Sequence, residues 1–175
     1  MVRSALASNR RIGQGPVSGA PYVPAASVIA ATFLSSLPVV SLSGWFPDFG
    51  FLVLIAWRLL RADAWPSWWA APLGFVNDLV SGYPLGFSVS LWTAAMLVLD
   101  LLDRRTAWRD YWIEWALAAI LILAGEAAQW QVAAWMGAAV PFSAMIPSII
   151  ISIAAFPVAA WMVGRLDRWR LGQQG

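Results

Sequence analysis

The chain has 175 residues but no cysteine and no histidine, and its eleven basic residues are all arginines. Without cysteine there is no disulfide and no thiol nucleophile. Without histidine there is no imidazole base, and the commonest zinc ligands are missing. The remaining residues call for no metal and no cofactor. Charge is scarce as well: 11% of the residues are charged, and the net charge is +2. That is too small a surplus to read as a nucleic-acid footprint, so nucleic acid is not an expected partner.

What fills the chain instead is apolar. It is 61% hydrophobic, with a mean hydropathy of +0.69. Soluble domains sit near about half apolar and about a quarter charged. This composition requires lipid as a solvent, and it predicts an all-α integral membrane protein.

Residues 1–22 are polar, rich in Gly and Pro, and carry Arg3, Arg10 and Arg11. They read as a flexible basic cytoplasmic tail. A secretory signal peptide is the competing reading, but the arginines lie far from the apolar run and further apolar segments follow. Six helices are expected, over 24–42, 47–60, 66–80, 85–102, 111–136 and 142–166. They form one transmembrane domain over 23–168, followed by a short cytoplasmic tail over 169–175. No internal repeat or soluble domain interrupts them. A span needs about 20 residues, so the second and third helices are short. They sit either in thin membrane or under cover of their neighbours. A re-entrant hairpin of these two is the competing topology.

The arginines favour six spans with both termini cytoplasmic. Arg3, Arg10 and Arg11, then Arg58 and Arg61, then Arg104, Arg105 and Arg109, then Arg165, Arg168 and Arg170 all fall at inner ends. The expected outer loops, around 43–45, 81–84 and 137–141, carry none, as the positive-inside rule requires. A re-entrant hairpin would misplace Arg58 and Arg61. Trp65, Trp68, Trp69, Trp108, Trp112, Trp115 and Trp169 read as anchors at the inner interface, with Trp45 and Trp135 at the outer one. Arg58 is expected to snorkel to the headgroups, and Asp100 to pair with Arg104 at i,i+4 spacing. Asp63 is a further carboxylate within reach of the inner arginines.

Acids inside an apolar run are costly in lipid, about 2.5–3.5 kcal/mol each on insertion scales. They are therefore the functional candidates. Asp78 lies about 18 Å, and Glu126 about 22 Å, from the inner end of its helix. Gln129 follows Glu126 at i+3 and shares its face. Asn77 adjoins Asp78. The expectation is one polar site open to the outer side, formed by Asp78, Glu126 and Gln129 with Asn77 nearby. The competing reading has Asp78 capping the chain break near Gly82 and Glu126 bonding to a neighbouring helix. Pro157 should free a carbonyl one turn earlier in the last helix. The small residues of the fifth helix (Ala116, Ala118, Ala119, Ala124, Gly125, Ala127, Ala128) suit close approach by another helix.

The stretch 46–86, FPDFGFLVLIAWRLLRADAWPSWWAAPLGFVNDLVSGYPLG, resembles the rod-shape-determining MreD family. The pattern Leu-Gly-x-x-x-Asp-Leu-x-x-Gly-x-Pro-Leu-Gly is met by Leu73, Gly74, Asp78, Leu79, Gly82, Pro84, Leu85 and Gly86. The likeness in length and layout covers nearly the whole chain after the tail. Asn77 departs from the Gln or other residue of many relatives. The resemblance implies a bacterial inner (cytoplasmic) membrane protein of the cell-elongation machinery, non-catalytic. Its implied fold is similar to that of the substrate-binding subunits of energy-coupling vitamin transporters. The partners it implies are an MreC-like bitopic membrane protein, the actin-like MreB filament system, the wall-synthesis polymerase and transpeptidase, and membrane lipids. Three readings follow: a scaffold of lateral wall synthesis, a small-molecule or lipid-binding transport subunit, and an intramembrane enzyme. The last is limited by a chemical repertoire without His, Cys or Lys.

Overall fold

The computed structural model describes residues 22–37, 47–61, 65–105, 111–138 and 141–172, without the side chains of 104, 105, 171 and 172. The basic tail, Trp45, Asp63, Trp108 and Arg109 lie outside the described residues, as do the side chains of Arg104 and Arg105. Among the described residues there is no strand. The helices are α1 (Tyr22–Ser35), α2 (Phe49–Leu60), α3 (Ala70–Ser81), α4 (Phe87–Arg105), α5 (Tyr111–Trp135) and α6 (Ile146–Gly172). Short 3-10 turns, Ser67–Trp69 and Phe142–Met145, lead into α3 and α6. α6 runs well past the expected end at 166 and into the segment expected as a tail.

Two stretches, Tyr111–Trp135 and Phe142–Arg170, are long and apolar enough to cross a membrane. The 25 residues of α5 rise about 37 Å, against about 30 Å of hydrocarbon. Both helices turn large apolar side chains outward. On α5 these include Ile113, Ile120 and Leu123, and on α6 Ile150, Val158 and Met162. Only Ala118, Ile122 and Gly125 of α5 are buried. Exposed apolar surface of this extent marks a face that meets lipid or another protein.

α2 is the centre. Every residue from Gly50 to Leu59 is buried, as a helix apolar on all sides requires. It packs on α1 and α6, and more lightly on α4 and α5. Its shortness is met by cover from its neighbours. Phe51 stacks on Trp92 of α4 at 6.1 Å between ring centroids. Trp57 donates its Nε1–H to Ser27 Oγ of α1 at 2.8 Å.

Pro157 lies inside α6 and has no N–H to offer the Ile153 carbonyl one turn earlier. Trp115 of α5 donates its indole N–H to that carbonyl at 3.2 Å. The defect in one long helix thus becomes the hydrogen bond that fixes it to the other. Buried backbone acceptors in an apolar medium need such partners.

α3 and α4 form the most closely packed pair, and Gly74 is the reason. A Cβ at this position would lie 2.7 Å from the Ser88 carbonyl and 2.8 Å from Val89 Cα, both backbone atoms that cannot turn aside. Gly82, with φ 71°, ends α3 in the left-handed region, which glycine enters without steric cost. α4 and α5 follow each other in the chain yet make few contacts, which leaves a lateral groove between them. We expect Gly74→Ala to lower stability by about 1–3 kcal/mol through overpacking. Phe75→Leu, on the exposed face, should change it by less than about 0.5 kcal/mol. Thermal unfolding of the purified protein in mild detergent measures both.

Candidate functional site

α2 begins at Asp48, whose Oδ1 accepts the Phe51 N–H at 3.0 Å as an N-cap. Its other oxygen accepts from Asn77 Nδ2 of α3, also at 3.0 Å. The second proton of that amide goes to Ser88 Oγ of α4 at 2.9 Å. Asp78, one position on, points about 100° away around the helix and serves a different end. Its Oδ2 accepts the Gly86 N–H at 2.8 Å and its Oδ1 the Ser88 N–H at 2.7 Å. These are the free amides at the start of α4, where a negative charge is also favoured by the helix dipole. Asn77 and Asp78 are both fully buried. Together they join the starts of α2 and α4 to the end of α3.

Beside this knot a cavity of about 530 Å³ opens at the end of the bundle away from the arginines. Its polar walls come from Asp48, Tyr83, Glu126, Gln129, Ser148 and Ser35. Glu126 Oε1 accepts from Ser148 Oγ of α6 at 3.0 Å. Gln129 donates from Nε2 to the Tyr83 hydroxyl at 2.9 Å. Tyr83 lies in the turn between α3 and α4, and burial, aided by the carboxylates of Asp48 and Glu126, raises its pKa above the usual tyrosine value. It stays a neutral phenol. Asp48, Tyr83, Glu126 and Gln129 also wall a smaller inner chamber of about 30 Å³, which Phe51, Phe87 and Ser152 help to close. Among the described residues no arginine lines either space.

The structure brings Glu126 and Gln129 to one cavity wall but does not place Asp78 there; its carboxylate is spent on the start of α4. Asn77 lies behind the wall, bonded to Asp48. Gly74, Gly82, Pro84 and Gly86 shape the α3–α4 junction rather than the cavity lining, although Gly82 reaches its rim. Asp48, Tyr83, Ser148 and Ser152 escaped the sequence reading. A signal for Asp48 was present, since an aspartate directly before an apolar helical run is an N-cap pattern. Ser148 and Ser152 stand at i,i+4 spacing, which puts them on one face of α6.

At the opposite end the arginines correct one expectation. Arg58 does not reach outward; it is 4% exposed and ion-paired with Asp100 and Asp103 of α4, the latter at 2.6 Å. Asp100 also accepts from Ser67 Oγ, and its expected i,i+4 pairing with Arg104 lies outside the described side chains. Arg61 pairs with Asp167 of α6 at 2.9 Å, and Arg170 joins the same acid at 2.7 Å. Cations in the last turn of α2 also complement its dipole. Trp65, expected as an interface anchor, is buried, whereas Trp68, Trp112, Trp135 and Trp169 are exposed.

Removing the Asp78 carboxylate leaves two buried N–H groups without an acceptor, at about 1–3 kcal/mol each. Asp78→Ala should therefore unfold at clearly lower temperature than Asp78→Asn, which keeps one acceptor oxygen. Asp78→Asn should in turn fall below the unaltered protein. Thermal unfolding in detergent gives the order, and equal stability of all three would remove the capping role.

Comparison of the chain with protein-family models, with curated proteins and with solved structures finds no match.

Proposed function

We propose that this protein is a multi-pass scaffold of the bacterial inner membrane, serving the cell-elongation machinery as the MreD family does, without catalysis of its own. The observation that carries the reading is the uncovered face of α5. This helix has the length of a membrane span, yet the chain buries only three of its residues. Ala116, Ala124 and Ala127 are exposed along it, and small residues let a second helix approach closely. The occupant in this reading is the membrane helix of an MreC-like bitopic protein. The MreB filament system and the wall-synthesis polymerase and transpeptidase complete the assembly. The resemblance that suggests these partners rests on Gly74, Asp78, Gly82, Pro84 and Gly86, the residues that build the α3–α4 junction. The ion-paired arginine end braces α2 against α4 and α6 and suits a rigid platform.

A second reading, a ligand-binding transport subunit, has one feature in its favour: the cavity walled by Glu126, Gln129 and Asp48. Affinity capture of the intact protein in mild detergent, with mass spectrometry of bound proteins and lipids, separates the two. The scaffold reading predicts recovery of an MreC-like protein and wall-synthesis enzymes, and loss of the former in Ala127→Trp, which fills the α5 face. Recovery of an ATPase module with a small-molecule ligand would overturn it in favour of transport.

A further inference from the structure

The cavity beside the Asp48–Asn77 contact has a chemical character that the scaffold reading does not use. Two carboxylates, Asp48 and Glu126, face the same space, and no cationic side chain among the described residues lines it. Asp48 is held on both oxygens by Phe51 N–H and Asn77. Glu126 is held on one: Ser148 serves Oε1, and Oε2 has no partner among the described residues. The Gln129 amide donates to Tyr83, and its oxygen remains an acceptor. A carboxylate away from bulk water requires a counter-charge or a hydrogen-bond donor.

A second observation comes from α6. Ser152, one turn beyond Ser148, is 2% exposed, and its hydroxyl has no hydrogen-bond partner among the described residues. It lines the inner chamber, where the ring of Phe51 and the ring of Phe87 also stand. Buried hydroxyls are normally satisfied, and one that is not calls for an explanation. The chamber is small, about 30 Å³, with room for a small polar group. Carboxylate, hydroxyl and amide acceptors around a small space flanked by aromatic faces form a cage for a cation.

We infer that this cavity binds a primary ammonium group, seated in the inner chamber between Glu126, Ser152 and Gln129 under the rings of Phe51 and Phe87. A primary ammonium carries three donors and a positive charge, which matches three acceptors and an uncompensated acid. A trimethylated ammonium has no N–H donors to offer these acceptors. The rest of the ligand occupies the outer cavity. The Tyr83–Gln129 pair separates that cavity from the apolar groove lined by Pro84, Val132 and Met136. The ammonium thus belongs either to a soluble amine entering from the open end or to the headgroup of an amine-bearing lipid whose chains lie in the groove. The inference does not rest on the scaffold reading, and its test does not involve the protein partners.

The test uses the full chain in nanodiscs. In one arm, phosphatidylethanolamine is mixed into phosphatidylglycerol discs, and lipid retained on the ejected protein is identified by native mass spectrometry. In the other, putrescine is titrated calorimetrically into discs of phosphatidylglycerol alone. Selective retention of phosphatidylethanolamine assigns the site to a lipid, and binding of putrescine assigns it to a soluble amine. In either case Glu126→Gln should weaken binding about tenfold or more, while Phe75→Leu, on the exposed face of α3, leaves it unchanged. Ser152→Ala should also weaken binding with no loss of thermal stability, because its hydroxyl makes no bond to the protein. Absence of amine binding in both arms, or binding unchanged in both Glu126→Gln and Ser152→Ala, would overturn the inference.

Discussion

The paired side chains of Asn77 and Asp78 hold three helix ends in one place, and the architecture around the cavity depends on that constraint. An apolar environment offers no water to helix termini, so every free amide there must find a partner within the protein. α2 and α4 both start at this point. Asp48 caps the first and is itself steadied by Asn77, and Asp78 caps the second from the preceding helix. Ser88 closes the circuit by accepting from Asn77 while its N–H goes to Asp78. Gly74 permits the approach that brings these groups within reach. An acid that composition alone marks as costly is thereby converted into the joint between two helices.

The same economy appears elsewhere in the bundle. Pro157 removes a hydrogen bond from α6, and Trp115 of α5 restores it from outside. Arg58 enters the interior only in company with Asp100 and Asp103, since an unpaired buried charge is not sustainable. The two ends of the molecule therefore differ in kind. At one end acids and arginines neutralise each other and brace α2, α4 and α6. At the other, Asp48 and Glu126 border open space with no cation among the described lining residues. Polar groups at the first end are consumed by the fold, whereas Glu126, Gln129 and Ser152 retain capacity for something else.

Much of the helical layout was legible in the sequence, because apolar runs punctuated by Gly, Pro and arginine leave few alternatives. Helix ends were harder. The end of α6 was misjudged because Arg165, Asp167, Arg168 and Arg170 look like a solvated tail, although Asp167 binds Arg61 and Arg170 within the bundle. The site was half legible. Glu126 and Gln129 announce themselves by polarity at i+3 spacing in an apolar helix. Asp78 announces itself equally, but polarity does not distinguish a capping acid from a lining one; that depends on where the Gly86 and Ser88 amides come to rest. Asp48 was hidden by its place at a helix start, and Ser152 by its modest polarity in a run of isoleucines. Tertiary pairings such as Arg58 with Asp100 join residues far apart in the chain, and no local spacing rule announces them.

Asp48 and Asn77 act as one unit joining α2 to α3 and α4. A double-mutant cycle on unfolding free energy in detergent, with Asp48→Ala, Asn77→Ala and the double variant, measures it most directly. A coupling of about 0.5–3 kcal/mol is expected, the range of residues sharing one hydrogen-bond network. Strictly additive losses would contradict it.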